Sequence, residues 1–355
     1  MSFEDRELPF DFDLLRDLTE FHGPPGYEDR VRGLVTEALE EHTDEVETDA
    51  MGNVIGTVEG ESDYAVVLAA HVDEIGFMVR HVTDEGFLQL DALGGWDPRV
   101  LRAQRVAVHT EQGELTGVIG SVPPHTQDDE EESSSQEVHD VHVDMGRDGE
   151  TVSELVRVGD LVTMRQTTEV VGNHVTGKAL DDRVCVFAML EAARRLEDPP
   201  VTVHFAATTQ EEVGLRGAEA LGGDVEPDLA IALDVTVAND VPGFEDGDQV
   251  TRLGEGTAIK LKDGSVITNP KVNRRLREVA EEHGIEHQLE VLPSGGTDTA
   301  KLQRAGGATA AGAVSIPTRY LHTVTESAHV EDIAATTDLL VSFLESEDGN
   351  TDYTP

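Results

Sequence analysis

AVVLAAHVDEIGF, residues 65–77, opens with six apolar residues and closes around His71, Asp73 and Glu74. An apolar run this short, bounded by polar residues and with no alternation, reads as a strand covered on both faces, as in the parallel sheets of α/β proteins. Ligand sites in open α/β sheets gather at the carboxyl ends of such strands. His71 and Asp73 are two apart at that end, so their side chains point the same way. Two further apolar runs, 201–207 and 229–233, stop just before Glu211-Glu212 and at Asp234. The repetition predicts a mixed-sheet α/β fold with a polar site along one edge.

Working outward, Leu14, Leu15, Leu18 and Phe21 recur at helical spacing. After the break GPPG at 23–26, Val31, Leu34, Val35, Ala38 and Leu39 predict a second helix. A hairpin at the sheet edge is expected around 54–58. From 74 to 170 the texture changes to short strands, among them 77–82, 87–90, 105–109 and 115–119, which predicts a small β-barrel or sandwich. Helix and strand alternate again from Leu180 onward. The reading is one α/β domain made of 1–73 and 171–355, with 74–170 inserted, and 355 residues suffice for two such units. The acidic low-complexity stretch within 125–137 reads as a polar loop without chemistry.

The charge balance is 72 Asp+Glu against 26 Lys+Arg, a formal net charge of −46 spread along the whole chain. Lysine occurs only at Lys178, Lys260, Lys262, Lys271 and Lys301. At molar salt the Debye length falls to roughly 3 Å, so such carboxylates are screened while they keep the surface hydrated. The composition therefore reads as halophilic, and it disfavours nucleic acid and anionic membrane as partners. Cys185 is the only cysteine, which excludes an intrachain disulfide or a cysteine metal cluster and suits a reducing cytoplasm. The start MSFEDRELPF has no basic and apolar leader pattern, and no apolar stretch reaches transmembrane length. A soluble, cytoplasmic protein is expected.

Five acid or histidine segments carry the candidate chemistry: AAHVDEIGF at 69–77, GKALDDR at 177–183, TTQEEVGLRGA at 208–218, ALDVT at 232–236 and RYLHT at 319–323. Taken alone, a His-x-Asp pair is more often ordinary strand-end polarity; as a ligand, His71 needs an acceptor on its second ring nitrogen, which Asp73 can supply. Asp181-Asp182 precedes a helical pattern, where one aspartate serves as a cap. The second is explained if Asp181 reaches inward to bridge two cations. Adjacent Glu211 and Glu212 repel unless solvated or neutralised. In a two-metal peptidase one of them binds metal and the other is the general base. Asp234 and His322 stand at strand ends where they could complete the set. Nitrogen and oxygen donors without thiolate suit Zn²⁺, Co²⁺ or Mn²⁺.

Taken together with GPPGYE at 23–28, LGGWDPR at 93–99, VHVDMG at 141–146, SGGTDTA at 294–300 and IPTRYLHT at 316–323, these segments resemble the tetrahedral, self-compartmentalising metallo-aminopeptidases. That family includes glutamyl and deblocking aminopeptidases, some of them labelled endoglucanases. The resemblance implies two divalent metal ions, zinc first, with cobalt or manganese as substitutes. One ion would be held by His71, Asp181 and Asp234, and the other by Asp181, Glu212 and His322. It makes Glu211 the general base and Asp73 the support of His71. It also implies a dinuclear zinc peptidase domain, an inserted β-barrel-like dimerisation domain, and assembly of dimers into a homododecamer that acts on short peptides. A carboxypeptidase or deacylase with the same site is the nearest rival. A glycoside hydrolase using Glu211 and a second carboxylate leaves both histidines unexplained, and a shell that has lost catalysis leaves the full ligand set unexplained.

Overall fold

The run at 65–70 becomes the buried half of a ten-residue strand, and both faces of that strand are covered by helices. The computed structural model describes residues 8–121, 123, 125 and 137–355. The interior of the acidic stretch 125–137 and the first seven residues of the leader reading lie outside the described residues. In chain order the first elements are α1 (Phe12–Glu20), α2 (Asp29–Glu40), β1 (Glu45–Thr48), β2 (Val54–Val58) and β3 (Ser62–His71). Asp11 caps α1 by accepting from the N–H groups of Asp13 and Leu14, satisfying donors the helix leaves free. Leu15, Leu18, Val31, Val35 and Leu39 turn the buried faces of both helices onto the sheet, as their spacing predicts.

After β3 the chain forms a second unit from β4 (Gly76–Val82), β5 (Phe87–Leu93), β6 (Gln104–Thr110), β7 (Gly113–Ile119), β8 (His142–Asp144), the helix α3 (Gly149–Leu155) and β9 (Leu161–Met164). Its six strands close into an antiparallel barrel in the order β4-β5-β8-β7-β6-β9. Closure removes the exposed sheet edges that such short strands would otherwise present. Phe77, Val79, Leu88, Leu90, Val106 and Val162 fill its interior.

The remaining strands return to the first sheet: β10 (Glu169–Val171) and β11 (His174–Gly177), then β12 (Val201–Thr208), β13 (Leu229–Val237), β14 (Thr257–Lys262), β15 (His287–Val291), β16 (Ala310–Arg319) and β17 (Glu326–His329). Between them run α4 (Leu180–Arg195), α5 (Arg216–Asp224), α6 (Pro270–His283) and α7 (Thr299–Leu302), and α8 (Val330–Ser346) follows β17. The eleven-stranded sheet has the order β1-β2-β12-β3-β13-β16-β17-β11-β10, with β14 against β16 and β15 against β14. Its centre, β12, β3, β13 and β16, is parallel. The side-chain period of two sends Val66, Leu68 and Ala70 to the face covered by α1, α2 and α4, and Val67 and Ala69 to the face beneath α5 and α7. Every residue of α4 from Leu180 to Ala193 is buried, so this helix is the middle of the larger core. In register, Thr208 of β12 lies opposite His71 of β3, and Asp234 lies opposite Ser315. The carboxyl ends of the central strands thus open on one edge of the sheet. Among the described residues no helix is long and apolar enough to cross a membrane.

Candidate metal centre

At the end of β3 the chain turns away from the sheet and leaves His71 buried, 2% exposed. A carbonyl oxygen can only accept, so the 3.2 Å contact between His71 Nδ1 and the main-chain oxygen of Asp73 assigns the ring proton to Nδ1. The other ring nitrogen, Nε2, faces Asp181 Oδ1 at 3.3 Å. His322 repeats the arrangement from the other side. Its Nδ1 donates to the main-chain oxygen of Gly95 at 2.6 Å, and its Nε2 faces Asp181 Oδ2 at 3.4 Å and Glu212 Oε1 at 3.7 Å. One carboxylate therefore sits between two imidazoles whose other nitrogens are committed to backbone carbonyls.

Asp181 can stand there because α4 does not begin regularly: Asp181 (φ −75°, ψ 102°) and Asp182 (φ −117°, ψ 21°) are both non-helical. The two aspartates part company at this point. Asp181 faces the cavity, whereas Asp182 is fully buried behind it, with Oδ2 accepting from the His71 N–H at 3.1 Å and Oδ1 without a hydrogen-bond partner. Donor atoms of His71, Asp181 and Glu212 lie within 4.8 Å of one another, and so do those of His71, Asp182 and Asp234. Both aspartates thus approach the ligand atoms of the site, and only Asp181 also faces the cavity.

Asp73 does more than meet His71. Its Oδ1 accepts from the Glu211 N–H at 2.9 Å and its Oδ2 from the Glu212 N–H at 3.1 Å, fixing the turn that carries both glutamates. Non-glycine residues in the left-handed region gather on these loops: Ala179 (φ 53°), Gln210 (φ 55°), Tyr320 (φ 62°) and His322 itself (φ 58°). Such conformations cost on the order of 1–3 kcal/mol each and persist where the surroundings enforce them, as at functional sites.

Electrostatics point the same way. Burial, opposed by His71 and reinforced by Asp234, pushes the Glu211 carboxyl well above the usual range; burial and Asp181 raise Asp234, and they bring Glu212 up to about 8. His322 moves up to about 10, because Asp181 and Glu212 outweigh its own burial. A packed cluster of carboxylates whose nearest bases are two imidazoles is the environment that divalent cations relieve. The donors are nitrogen and oxygen only, since the Cys185 thiol is buried and pushed up, away from the thiolate form. The residues present fit divalent-cation binding.

The cluster forms one wall of a cavity of about 530 Å³, which also meets Val235, Val237, Leu292 and the buried Lys260. A groove of about 620 Å³ near Tyr64, Asn269 and residues 351–355 is larger, but it includes none of the donor cluster. Chemistry selects the smaller space. All seven residues anticipated from the sequence, His71, Asp73, Asp181, Glu211, Glu212, Asp234 and His322, meet at this end of the sheet. Sequence reasoning missed Gly95, whose carbonyl orients His322 from a loop after β5, and Glu326, which accepts from the N–H groups of both Asp181 and His322. Their only sequence signals are the LGGWD string and a glutamate four residues after the histidine.

The family model of M42 glutamyl aminopeptidase matches residues 52–339. The lysyl aminopeptidase of Pyrococcus furiosus is 36% identical over 353 residues, 97% of this chain and 99% of that protein. An aminopeptidase structure from the archaeon Desulfurococcus kamchatkensis superposes with a TM-score of 0.90 at 39% identity, covering 94% of each chain. The TET1 peptidase of Pyrococcus horikoshii, described as able to assemble into a tetrahedron or a large octahedral shell, gives 0.86 at 34% identity, with 94% of this chain and 99% of that one covered.

Proposed function

The chain belongs to the M42 glutamyl aminopeptidase family and is an aminopeptidase, and from that premise we propose that it trims amino-terminal residues from short peptides at a centre of two divalent metal ions. One ion would be held by His71, Asp181 and Asp234, the other by Asp181, Glu212 and His322. The observation that carries this reading is the convergence of two imidazole Nε2 atoms on the two oxygens of one carboxylate, that of Asp181, with Glu212 beside it. The donor set suits zinc first, with cobalt or manganese able to substitute. When bound, such ions polarise a scissile carbonyl, activate water and hold a free amine.

Glu211 stands outside both ligand sets yet lines the same cavity. It is assigned the proton transfer: its carboxylate takes a proton from the attacking water and returns it to the leaving amine. The upward displacement of its carboxyl by burial suits that exchange. Asp73 keeps both glutamates in place through their backbone N–H groups.

The shells described for the Pyrococcus horikoshii peptidase support a further part of the proposal. The β-rich segment 74–170 would pair subunits, and the dimers would assemble into a homododecamer with enclosed sites, limiting substrates to short peptides. The net charge of −46 supports a halophilic origin, and the single cysteine suits a reducing cytoplasm. The test uses one short peptide in free, amino-acetylated and carboxyl-amidated forms, incubated in high salt with Zn²⁺ or Co²⁺ and followed by mass spectrometry. The free and amidated forms should shorten from the amino end one residue at a time, and the acetylated form should stay intact. A ladder from the carboxyl end would replace this reading with a carboxypeptidase.

A further inference from the structure

Glu326 opens β17 with a side chain that is 2% exposed, and both of its carboxylate oxygens are committed. Oε1 accepts from the N–H of His322 at 2.8 Å, and Oε2 accepts from the N–H of Asp181 at 3.1 Å. Neither donor has a place in regular structure. The ladder between β16 and β17 stops at the pairing of Arg319 with Ser327, short of His322. Asp181 lies in the non-helical start of α4. Without Glu326 the Asp181 N–H would be an orphaned buried donor, and the part-buried His322 N–H would lose its acceptor.

We propose that Glu326 is a positioning residue for the second metal ion, locking the backbones of Asp181 and His322 to each other through its two carboxylate oxygens. The inference rests on the dinuclear reading above. Two of the three ligands assigned to the second ion, Asp181 and His322, hang on this one carboxylate; of the first ion's three, only Asp181 does. His322 needs the restraint, because its left-handed backbone (φ 58°) is one a histidine seldom adopts unaided. Glu326 is not itself read as a ligand, since both of its oxygens are taken up by backbone donors. Partners of this kind behind a metal ligand typically hold about 10–100-fold in metal affinity.

Glutamine at this position keeps one acceptor and turns an NH₂ toward the other N–H, so Glu326→Gln breaks one arm of the clamp while preserving volume. Glu326→Asp keeps both acceptors on a shorter arm and serves if the glutamine variant does not fold. The metal-free full-length protein would be titrated in high salt with Co²⁺ alone, followed by calorimetry and visible absorption, and its melting temperature measured without metal. Wild type should take two equivalents; fewer would overturn the dinuclear reading, and this inference with it. Given two, the variant should bind the second Co²⁺ about 10–100-fold more weakly, with a smaller change at the first and a fall in metal-free melting temperature too small to account for that loss. Unchanged affinities would overturn the role of Glu326 alone. Equal weakening of both sites, or a fall in metal-free melting temperature that accounts for the loss, would also overturn it, leaving Glu326 a support of the fold.

Discussion

Glu211 and Glu212 are neighbours in sequence with different surroundings, and that difference underlies the roles proposed for them. Glu212 Oε1 approaches His322 at 3.7 Å, while Glu211 is held through its backbone: its N–H donates to Asp73, and its carbonyl accepts from the N–H groups of Gly214 and Leu215. Glu211→Gln should therefore retain its full metal content by elemental analysis while kcat falls about 10²–10⁴-fold; loss of metal would mean that the two glutamates are assigned the wrong way round. A second residue-scale consequence lies just behind the site. Lys178 Nζ donates to Glu74 Oε2 at 2.7 Å, both side chains are nearly inaccessible, and Glu74 also accepts from the Gly23 N–H at 3.0 Å. Lys178→Met removes the direct partner of a buried carboxylate, leaving it only the more distant Arg183 and His22, and should cost up to about 3–5 kcal/mol in denaturant unfolding. Adding Glu74→Gln, which keeps an acceptor for Gly23, should recover part of that loss. A single variant as stable as wild type would show that the pair is not needed for folding.

Among the elements, the short loop after β5 joins the barrel to the candidate metal centre. Trp96 stacks on Phe77 with ring centroids 4.8 Å apart and donates through Nε1 to the Gly76 oxygen, which fixes the loop so that the Gly95 carbonyl meets His322. A methyl group at Gly95 would lie 3.1 Å from His322 Nδ1, so the ring must give by a few tenths of an ångström. Gly95→Ala should weaken uptake of the second metal about 10–100-fold with little change in unfolding. Gly120→Ala, whose added methyl meets open space, is the control. Equal metal affinities in the two variants would count against the loop's role. The strands and helices on either side of this loop were legible from period alone: the alternation between 74 and 170 became a closed barrel, and the apolar runs became the parallel centre of the sheet. The loop's contact with His322 was not legible, because nothing local in LGGWD specifies a partner more than two hundred positions away.

For the whole molecule, the dominant quantity is the net charge of −46. In the proposed assembly, contacts between such surfaces would have to overcome repulsion that is screened at molar salt, where the Debye length is roughly 3 Å, and that reaches much further in dilute buffer. Dilution out of molar salt should therefore dissociate the assembled particle before, or together with, unfolding. Sedimentation velocity across a salt series checks this: the same large species persisting in salt-free buffer would contradict it.

By itself the sequence determined the α/β class and the β-rich unit after β3, and it named candidate donor residues that the fold brings to one edge of the sheet. Apolar runs of strand length have few ways to be buried, and they deliver whatever polar residues follow them to the same edge of the sheet. Only the tertiary structure decided which aspartate faces the cavity. Asp181 and Asp182 are indistinguishable as letters, yet the irregular start of α4 sends one toward the two imidazoles and the other behind His71. It also decided that the histidines are oriented by main-chain carbonyls of Asp73 and Gly95, and that Asp73 and Glu326 work by accepting from the backbones of other site residues. Backbone carbonyl and N–H groups occur at nearly every position, so their hydrogen bonds leave no mark in the sequence until the fold aims them.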